Sequence, residues 1–140
     1  MLTRRSWFAG FAVAGITLAR RLCAEAPAVS LRGRLKPGEP AGLAISDGRR
    51  VALTGDDPTK LVLTDVRLAD LDFEGLGHWE TPARFLIDPM HLHAMFIHKD
   101  GKRLHITYWC DVCSIRTMTP GLCVCCQKYT DLDLRETIEP

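Results

Sequence analysis

Residues 44–54 read Ala-Ile-Ser-Asp-Gly-Arg-Arg-Val-Ala-Leu-Thr, and the fold prediction starts from this pattern. Asp47-Gly48 lies between two apolar runs, where an Asp-Gly pair is a strong short-range signal for a β-hairpin turn. Gly-Asp-Asp-Pro at residues 55–58 then ends the second run. The stretch therefore predicts two antiparallel strands joined by a tight turn.

Shorter patterns flank this hairpin. Before it, residues 31–35 form a candidate strand within the proline-containing stretch 27–41. After it, residues 61–71 carry apolar side chains at both strand and helix spacings. This ambiguity predicts a short strand followed by a helical turn that begins near Thr64 or Asp65.

Two more strands follow in the middle of the chain. Residues 71–79 form a predicted strand in which Gly75 and Gly77 indicate a bulge. Residues 84–87 form a short strand, and Asp88 and the following proline end it.

A second hairpin is predicted where residues 95–98 and 103–109 flank a Lys-Asp-Gly-Lys turn. Six or seven short strands and no long helical period predict an all-β fold, a small OB-fold-like or SH3-like barrel. The OB-like order covers roughly residues 29–98. We assign residues 27–98 to the barrel and residues 99–140 to a hairpin with a cysteine-rich, zinc-ribbon-like tail.

The charge of the chain is unevenly distributed. The 140 residues carry a formal net charge of +1, with 46% hydrophobic and 25% charged residues, as in a folded globular domain. The first 26 residues hold four of the 18 basic residues and one of the 17 acidic residues, so the remainder has a net charge of −2. A mildly acidic domain lacks the basic surface that nucleic acid or an anionic membrane requires, and we expect a soluble domain that binds neither.

The N-terminal segment has the pattern of an export signal. Thr-Arg-Arg-Ser-Trp-Phe at residues 3–8 resembles a twin-arginine motif built on Arg4 and Arg5. The 12 uncharged residues 8–19 are too short to span a bilayer, and Ala-Glu-Ala at 24–26 resembles a cleavage site. Residues 1–26 are therefore predicted to be a twin-arginine signal peptide, with the twin-arginine translocase as partner and a periplasmic or otherwise exported location. An ordinary secretory signal and a retained anchor are the alternatives.

Five of the six cysteines lie within 17 residues near the C-terminus. Cys110-x-x-Cys113 and Cys123-x-x-Cys126 form a double CxxC pattern with nine residues between the pairs, which is shorter than the usual zinc-ribbon spacer. Each CxxC turn directs two thiolates towards one ion, and two such knuckles predict a tetrahedral metal site. Cys125 is a surplus thiol, and it is a candidate for a spare ligand or a reactive group.

Other interpretations of the cysteines remain open. Zinc is the leading metal, and iron or copper also accepts thiolate ligands. Two disulfides are a rival in an oxidising compartment, although five cysteines cannot all pair. A redox-active thiol site is the third interpretation.

Methionines flank a pair of histidines at residues 90–95 (Met-His-Leu-His-Ala-Met). In an extended strand His91 and His93 would point the same way, so they are possible additional ligands, and the nearby thioethers would suit copper. The alternative is that they are ordinary polar residues on a solvated strand. Asp70, Asp72 and Glu74 alternate along the chain and could form an acidic face, but a solvated strand edge is favoured.

Residues 99–127 (KDGKRLHITYWCDVCSIRTMTPGLCVCCQ) form a distinctive tail. It resembles the C-terminal motif YWCDVCSIRTxTPGxCxCC of a family of small, exported, uncharacterised bacterial proteins with a twin-arginine signal. The resemblance implies a shared architecture, but it does not imply any particular activity.

Three functions follow from these patterns. The sequence contains no phosphate-binding loop, nucleophile elbow or HExxH motif, so no catalytic residue is assigned and an enzyme is disfavoured. The leading hypothesis is an exported protein with a structural four-cysteine site, for which the ligand type favours zinc. A copper-handling or electron-transfer protein and a thiol-disulfide redox protein are the alternatives.

Overall fold

The structure is a computed structural model and describes residues 26–138. The predicted signal segment, with Arg4 and Arg5, lies outside the described residues except for Ala26. In chain order the elements are β1 (Val29–Lys36), β2 (Ala41–Ala44), β3 (Arg50–Thr54), α1 (Asp57–Leu63), a first 3₁₀ turn (Val66–Leu68), β4 (Asp72–Thr81), β5 (Arg84–Ile87), a second 3₁₀ turn (Met90–Leu92), β6 (Met95–Lys99), β7 (Lys102–Cys110), β8 (Ile115–Thr117) and β9 (Asp131–Arg135). Within residues 26–138, no helix is both long enough and apolar enough to cross a bilayer.

Five strands close into a barrel in the order β1-β2-β3-β5-β4, with β4 returning to pair with β1. All these pairings are antiparallel except that of β3 with β5, which is parallel. A helix, α1, lies between β3 and β4 in the chain. The predicted small all-β barrel is therefore confirmed, and its strand order is that of the OB-fold-like alternative.

Alternating side chains of the barrel strands fill the interior. Leu43 on β2, Val51 on β3, and Phe73 on β4 are at most 1% exposed, and Phe85 on β5 is fully buried. Burying a side chain of this size stabilises the fold by about 1.5–3 kcal/mol. Val62 of α1 belongs to the same buried cluster, so the helix extends the barrel core.

The strand predicted at the start of residues 61–71 is wrong, because α1 occupies residues 57–63. The carboxylate of Asp56 accepts a hydrogen bond from the backbone N–H of Thr59 at 3.0 Å, and a proline lies in the first turn. Both features favour a helix N-terminus. The predicted helical turn near Asp65 is confirmed, since Asp65 caps the first 3₁₀ turn.

β4 pairs with β1, β5 and β6, and Gly77 lies where another strand approaches it closely. The pairing of β4 with β5 shifts register between Trp79 and Thr81, so the bulge predicted at Gly75 and Gly77 is wrong in position. A Cβ on Gly77 would overlap the backbone carbonyl of Leu86. The glycine therefore permits the close approach of β5 to β4.

The sheet continues beyond the barrel through β6 and β7. These strands form the predicted second hairpin, and Asp100 and Gly101 in its turn have positive φ. The assigned boundary between residues 98 and 99 falls within β6, and the hairpin pairs across it. β7 carries the chain from the barrel to Cys110, its last residue.

Candidate metal centre

Four cysteine sulfur atoms converge at the end of β7. The Sγ atoms of Cys110, Cys113, Cys123 and Cys126 all lie within 4.8 Å of one another. The Sγ atoms of Cys110 and Cys126 are 3.5 Å apart, and all four residues are free cysteines. These are the four residues that the double CxxC pattern predicts, and metal binding by them stays a prediction.

The first knuckle is the tight turn between β7 and β8. Cys110 pairs with Ile115 across this turn, and Ser114 adopts a left-handed conformation with φ of 52°. The backbone N–H of Cys113 points at the sulfur of Cys110, with a distance of 3.5 Å from nitrogen to sulfur. The turn therefore directs both sulfur atoms to the same side.

The second knuckle is a turn between β8 and β9. The backbone N–H of Cys123 donates to the carbonyl of Lys128 at 2.7 Å, and the N–H of Gln127 donates to the carbonyl of Cys123 at 3.0 Å. Gln127 has φ of 60°, and Leu122 forms a β-bridge with Tyr129 at the base of the turn. These bonds fold residues 123–128 back on themselves.

The connection between β8 and β9, which contains the second knuckle, crosses the end of β7. Trp109 pairs with Arg116 of β8 and at the same time with Asp131 of β9. A strand residue has one neighbour on each edge, so β8 and β9 lie on opposite edges of β7. The segment from 118 to 130 must therefore pass over the end of β7, where Cys110 lies.

Local hydrogen bonds and burial shift the pKa values of three thiols. The backbone N–H groups of Cys126 and Cys125 lower the pKa of Cys123 to about 7. The N–H of Cys113 acts in the same direction on Cys110, but burial and neighbouring thiols outweigh it and raise the pKa of Cys110. The thiol of Cys125 and burial raise the pKa of Cys113. Backbone donors thus favour a thiolate at Cys123, and a cation would favour thiolates at the others.

The donor set fits a thiolate-binding metal. Tetrahedral Zn²⁺ with Zn–S bonds of ~2.3 Å places neighbouring sulfur atoms ~3.8 Å apart. The observed 3.5 Å pair and the 4.8 Å limit bracket this separation. Small shifts of the side chains would therefore bring all four sulfur atoms to bonding distance.

Cys125 lies outside this set of four. It is exposed, whereas Cys123, with which it competes in the sequence pattern, is fully buried within the cluster. The thiol of Cys125 nevertheless acts to raise the pKa of Cys113. The structure thus separates four convergent thiols from one exposed neighbour.

A hydrogen-bonded frame connects the site to the first 3₁₀ turn. The Tyr108 hydroxyl donates to Oδ2 of Asp65 at 2.9 Å, and Nη1 of Arg67 donates to the carbonyl of Thr130 at 2.9 Å. The Thr130 hydroxyl donates to the carbonyl of Gly121 at 3.0 Å. Sequence reasoning does not reveal this frame, and the only signal for it is an aspartate suited to capping the turn.

The extended strand expected at His91 and His93 is wrong, and cation binding by these histidines stays a prediction. Residues 90–92 form a 3₁₀ turn and His93 has φ of 51°, so His91 and His93 do not alternate along a strand. Both are exposed. The ring of His93 instead lies edge-on to that of His105, with 6.3 Å between centroids. Among the described residues, the four cysteines are the only group of three or more His, Cys, Asp or Glu side chains close enough to share a cation.

Glu74 and Asp72 do not form an acidic site. Nε of Arg32 donates to Asp72 at 2.9 Å. Glu74 is buried and accepts hydrogen bonds from Ser30 at 2.7 Å and from Arg103 at 2.9 Å. Arginine partners thus offset the charges of these carboxylates, and the Ser30 hydroxyl adds a hydrogen bond to Glu74.

In comparisons with protein-family models, curated proteins and solved structures, the chain matches none.

Proposed function

We propose that this chain is an exported metal-binding protein in which Cys110, Cys113, Cys123 and Cys126 hold Zn²⁺ as a structural staple. The observation that carries the proposal is the convergence of four thiols from two knuckles to within 4.8 Å. The knuckles are separated by nine residues in the sequence, so a shared cation would join the end of β7 to the β8–β9 connection.

A structural role is favoured because the protein supplies four ligands. Catalytic zinc sites usually have three protein ligands and an open position for water or substrate, whereas structural sites are closed by four. Cys110 and Cys123 are buried, which further limits access to the cation. Copper handling is less well supported, since His91 and His93 do not lie near the cysteine cluster as a joint ligand group.

The deciding experiment is elemental analysis of the native protein together with a count of free thiols. The zinc proposal predicts a single equivalent of zinc per chain and thiols that react only slowly until a chelator is added. A content dominated by copper or iron would favour the electron-transfer alternative. Metal-free protein with disulfides between these cysteines would refute the staple.

Export rests on the sequence of residues 1–26, in which Arg4 and Arg5 precede an uncharged stretch. Replacing both with lysine is expected to trap the protein in the cytoplasm of a bacterial host that has the translocase. The matched control replaces Arg20 and Arg21 with lysine, which leaves the paired-arginine motif intact. Export of the Arg4/Arg5 double variant at the wild-type rate would contradict the twin-arginine route.

A further inference from the structure

β9 is the last strand of the sheet and pairs along one edge. Within residues 26–138 its partner is β7, with Thr107 opposite Asp133 at the centre of the pairing. The Thr107 hydroxyl donates to the backbone carbonyl of Asp133 at 2.5 Å, so the main-chain groups of Asp133 face β7. Because main-chain groups alternate in direction along a strand, those of Leu132 and Leu134 point away from β7. Among the described residues, no hydrogen bond reaches these outward groups.

The β8–β9 connection limits the length of this outer edge. The backbone N–H of Thr130 donates to the carbonyl of Gly121 at 3.0 Å, so the connection covers the edge up to Thr130. β9 begins at the next residue and comprises Asp131–Arg135. The uncovered edge therefore has room for one added strand of about the length of β9 itself.

We propose that two copies of the chain dimerise by antiparallel pairing of their β9 strands across a two-fold axis at Asp133. Such an interface is isologous, so every contact occurs twice. The register places Leu132 opposite Leu134 of the second copy, and each of these pairs exchanges both main-chain hydrogen bonds. The outward N–H and C=O groups of both leucines are then satisfied.

The same register extends the apolar face of the sheet. Leu132 and Leu134 pack against the barrel core but are only partly buried, and they lie opposite Tyr108 and Ile106 of β7. Directly opposed residues share a face, so the leucines of the two copies would lie side by side. Pairing therefore removes the remaining apolar surface of these leucines from water.

Charges on the other face favour the same register. Asp131 and Arg135 are exposed and lie two residues on either side of Asp133, so Asp131 of each copy opposes Arg135 of the other. The two Asp133 side chains meet at the axis, where like charges repel. Arg116 donates to Asp133 at 2.7 Å and Arg135 donates to it at 3.0 Å, which offsets this charge within each chain. The sequence of β9 is thus complementary to itself when paired antiparallel about Asp133.

The test measures the mass of the purified native protein by analytical ultracentrifugation between about 10 μM and about 1 mM, since an interface this short is expected to be weak. A phosphine reductant prevents disulfide links through the exposed Cys125. The variants are Asp131→Arg, Arg135→Asp and the double exchange of both residues. Lys128→Asp is the matched control, because Lys128 is exposed, lies outside β9 and undergoes the same charge change as Arg135→Asp.

We expect wild type and Lys128→Asp to shift from monomer to dimer as concentration rises. Each single variant replaces two interchain attractions with repulsions and should dimerise at least about tenfold more weakly, while the double exchange should regain the wild-type affinity. In the wild type, the amide hydrogens of Leu132 and Leu134 should exchange more slowly at high concentration than at low concentration.

Three results would overturn the inference. The first is a wild-type protein that stays monomeric at about 1 mM. The second is a dimer that leaves the exchange of the Leu132 and Leu134 amides unchanged, which would place the interface elsewhere. The third is a double exchange that dimerises as weakly as the single variants, which would show that Asp131 and Arg135 do not face each other across the interface.

Discussion

The hydroxyl of Tyr108 donates a 2.9 Å hydrogen bond to the carboxylate of Asp65, which lies 43 residues earlier in the chain. Both groups are buried, and Arg67 completes the pairing of the carboxylate. Tyr108 is two residues from Cys110 in β7, so this contact ties the strand that leads to the cysteine cluster to the 3₁₀ turn beside the barrel.

Tyr108→Phe is expected to lower the free energy of unfolding by about 1–2 kcal/mol. The change leaves the ring in place but removes one buried donor to Asp65, and the loss is set at the lower end of the range of about 1.5–3 kcal/mol for hydrogen bonds to charged groups because Arg67 still pairs with the carboxylate. Chemical denaturation measures the effect. Tyr129→Phe is the matched control, because Tyr129 is 81% exposed, and an equal loss in both variants would contradict the assigned role.

Cys110→Ser is expected to abolish zinc binding and to unfold the C-terminal third of the chain. The free energy of unfolding should fall by more than about 3 kcal/mol, since structural zinc sites contribute directly to folding. Thermal denaturation with and without a chelator measures this, and the variant itself should not respond to the chelator. Cys125→Ser serves as control and should retain both zinc and stability. A wild-type melting temperature that is unaffected by chelation would exclude a structural metal.

Glu74→Gln is expected to destabilise the protein at neutral pH and to have little effect in acid. Burial raises the pKa of Glu74, but hydrogen bonds from His98, Ser30 and Arg103 outweigh it, so the folded-state pKa lies below the ordinary 4.5. The ionised carboxylate therefore stabilises the fold above pH 4.5, and this stabilisation disappears as pH falls through the folded pKa.

The expected loss for Glu74→Gln at pH 7 is about 1–2 kcal/mol, because the carboxylate is buried while the Arg103 side chain is 45% exposed. Denaturation across a pH series measures it. Glu80→Gln, on the same strand but 39% exposed, should change stability little. A loss for Glu74→Gln that does not diminish in acid would show that charge is not its cause.

Gly77→Ala is expected to cost more than about 2 kcal/mol of stability, since the new methyl group would collide with the β5 backbone. Gly75→Ala provides the comparison on the same strand. Its Cβ would meet only the side chains of Phe73 and Ile87, at 3.3–3.4 Å, and these can adjust. Equal stabilities of the two variants would contradict the close packing of β4 against β5.

Local turn chemistry explains which parts of the fold are predictable. Gly48 and Gly101 have φ of 85° and 75°, and an Asp-Gly pair specifies each hairpin within a few residues. The strand prediction fails at α1 because Leu61, Val62 and Leu63 form a continuous apolar run that suits either a strand or a helix. The Asp56 cap and the proline in the first turn favour the helix, and the packing of Val62 and Leu63 onto the barrel, with Leu61 half exposed, agrees with it.

At the candidate site, features set by local contacts can be predicted from the sequence, and features set by distant contacts cannot. The four convergent cysteines follow from CxxC spacing, because each pair is brought together by its own turn. β9 escapes prediction even though Leu132 and Leu134 alternate with charged residues, since its partner β7 lies far away in the sequence. Asp65 could not be linked to Tyr108 from the sequence, because that contact exists only once the barrel has closed.

The simultaneous pairing of Trp109 with Arg116 and Asp131 has a consequence for how the sheet is specified. A slip of β7 by one residue against either neighbour would turn Cys110 to the opposite face and remove its sulfur from the other three. The sulfur cluster can therefore assemble only when β7, β8 and β9 are correctly aligned. A misaligned β7 would leave the cluster without one of its four sulfur atoms, so formation of the complete cluster selects the correct register at the end of the chain.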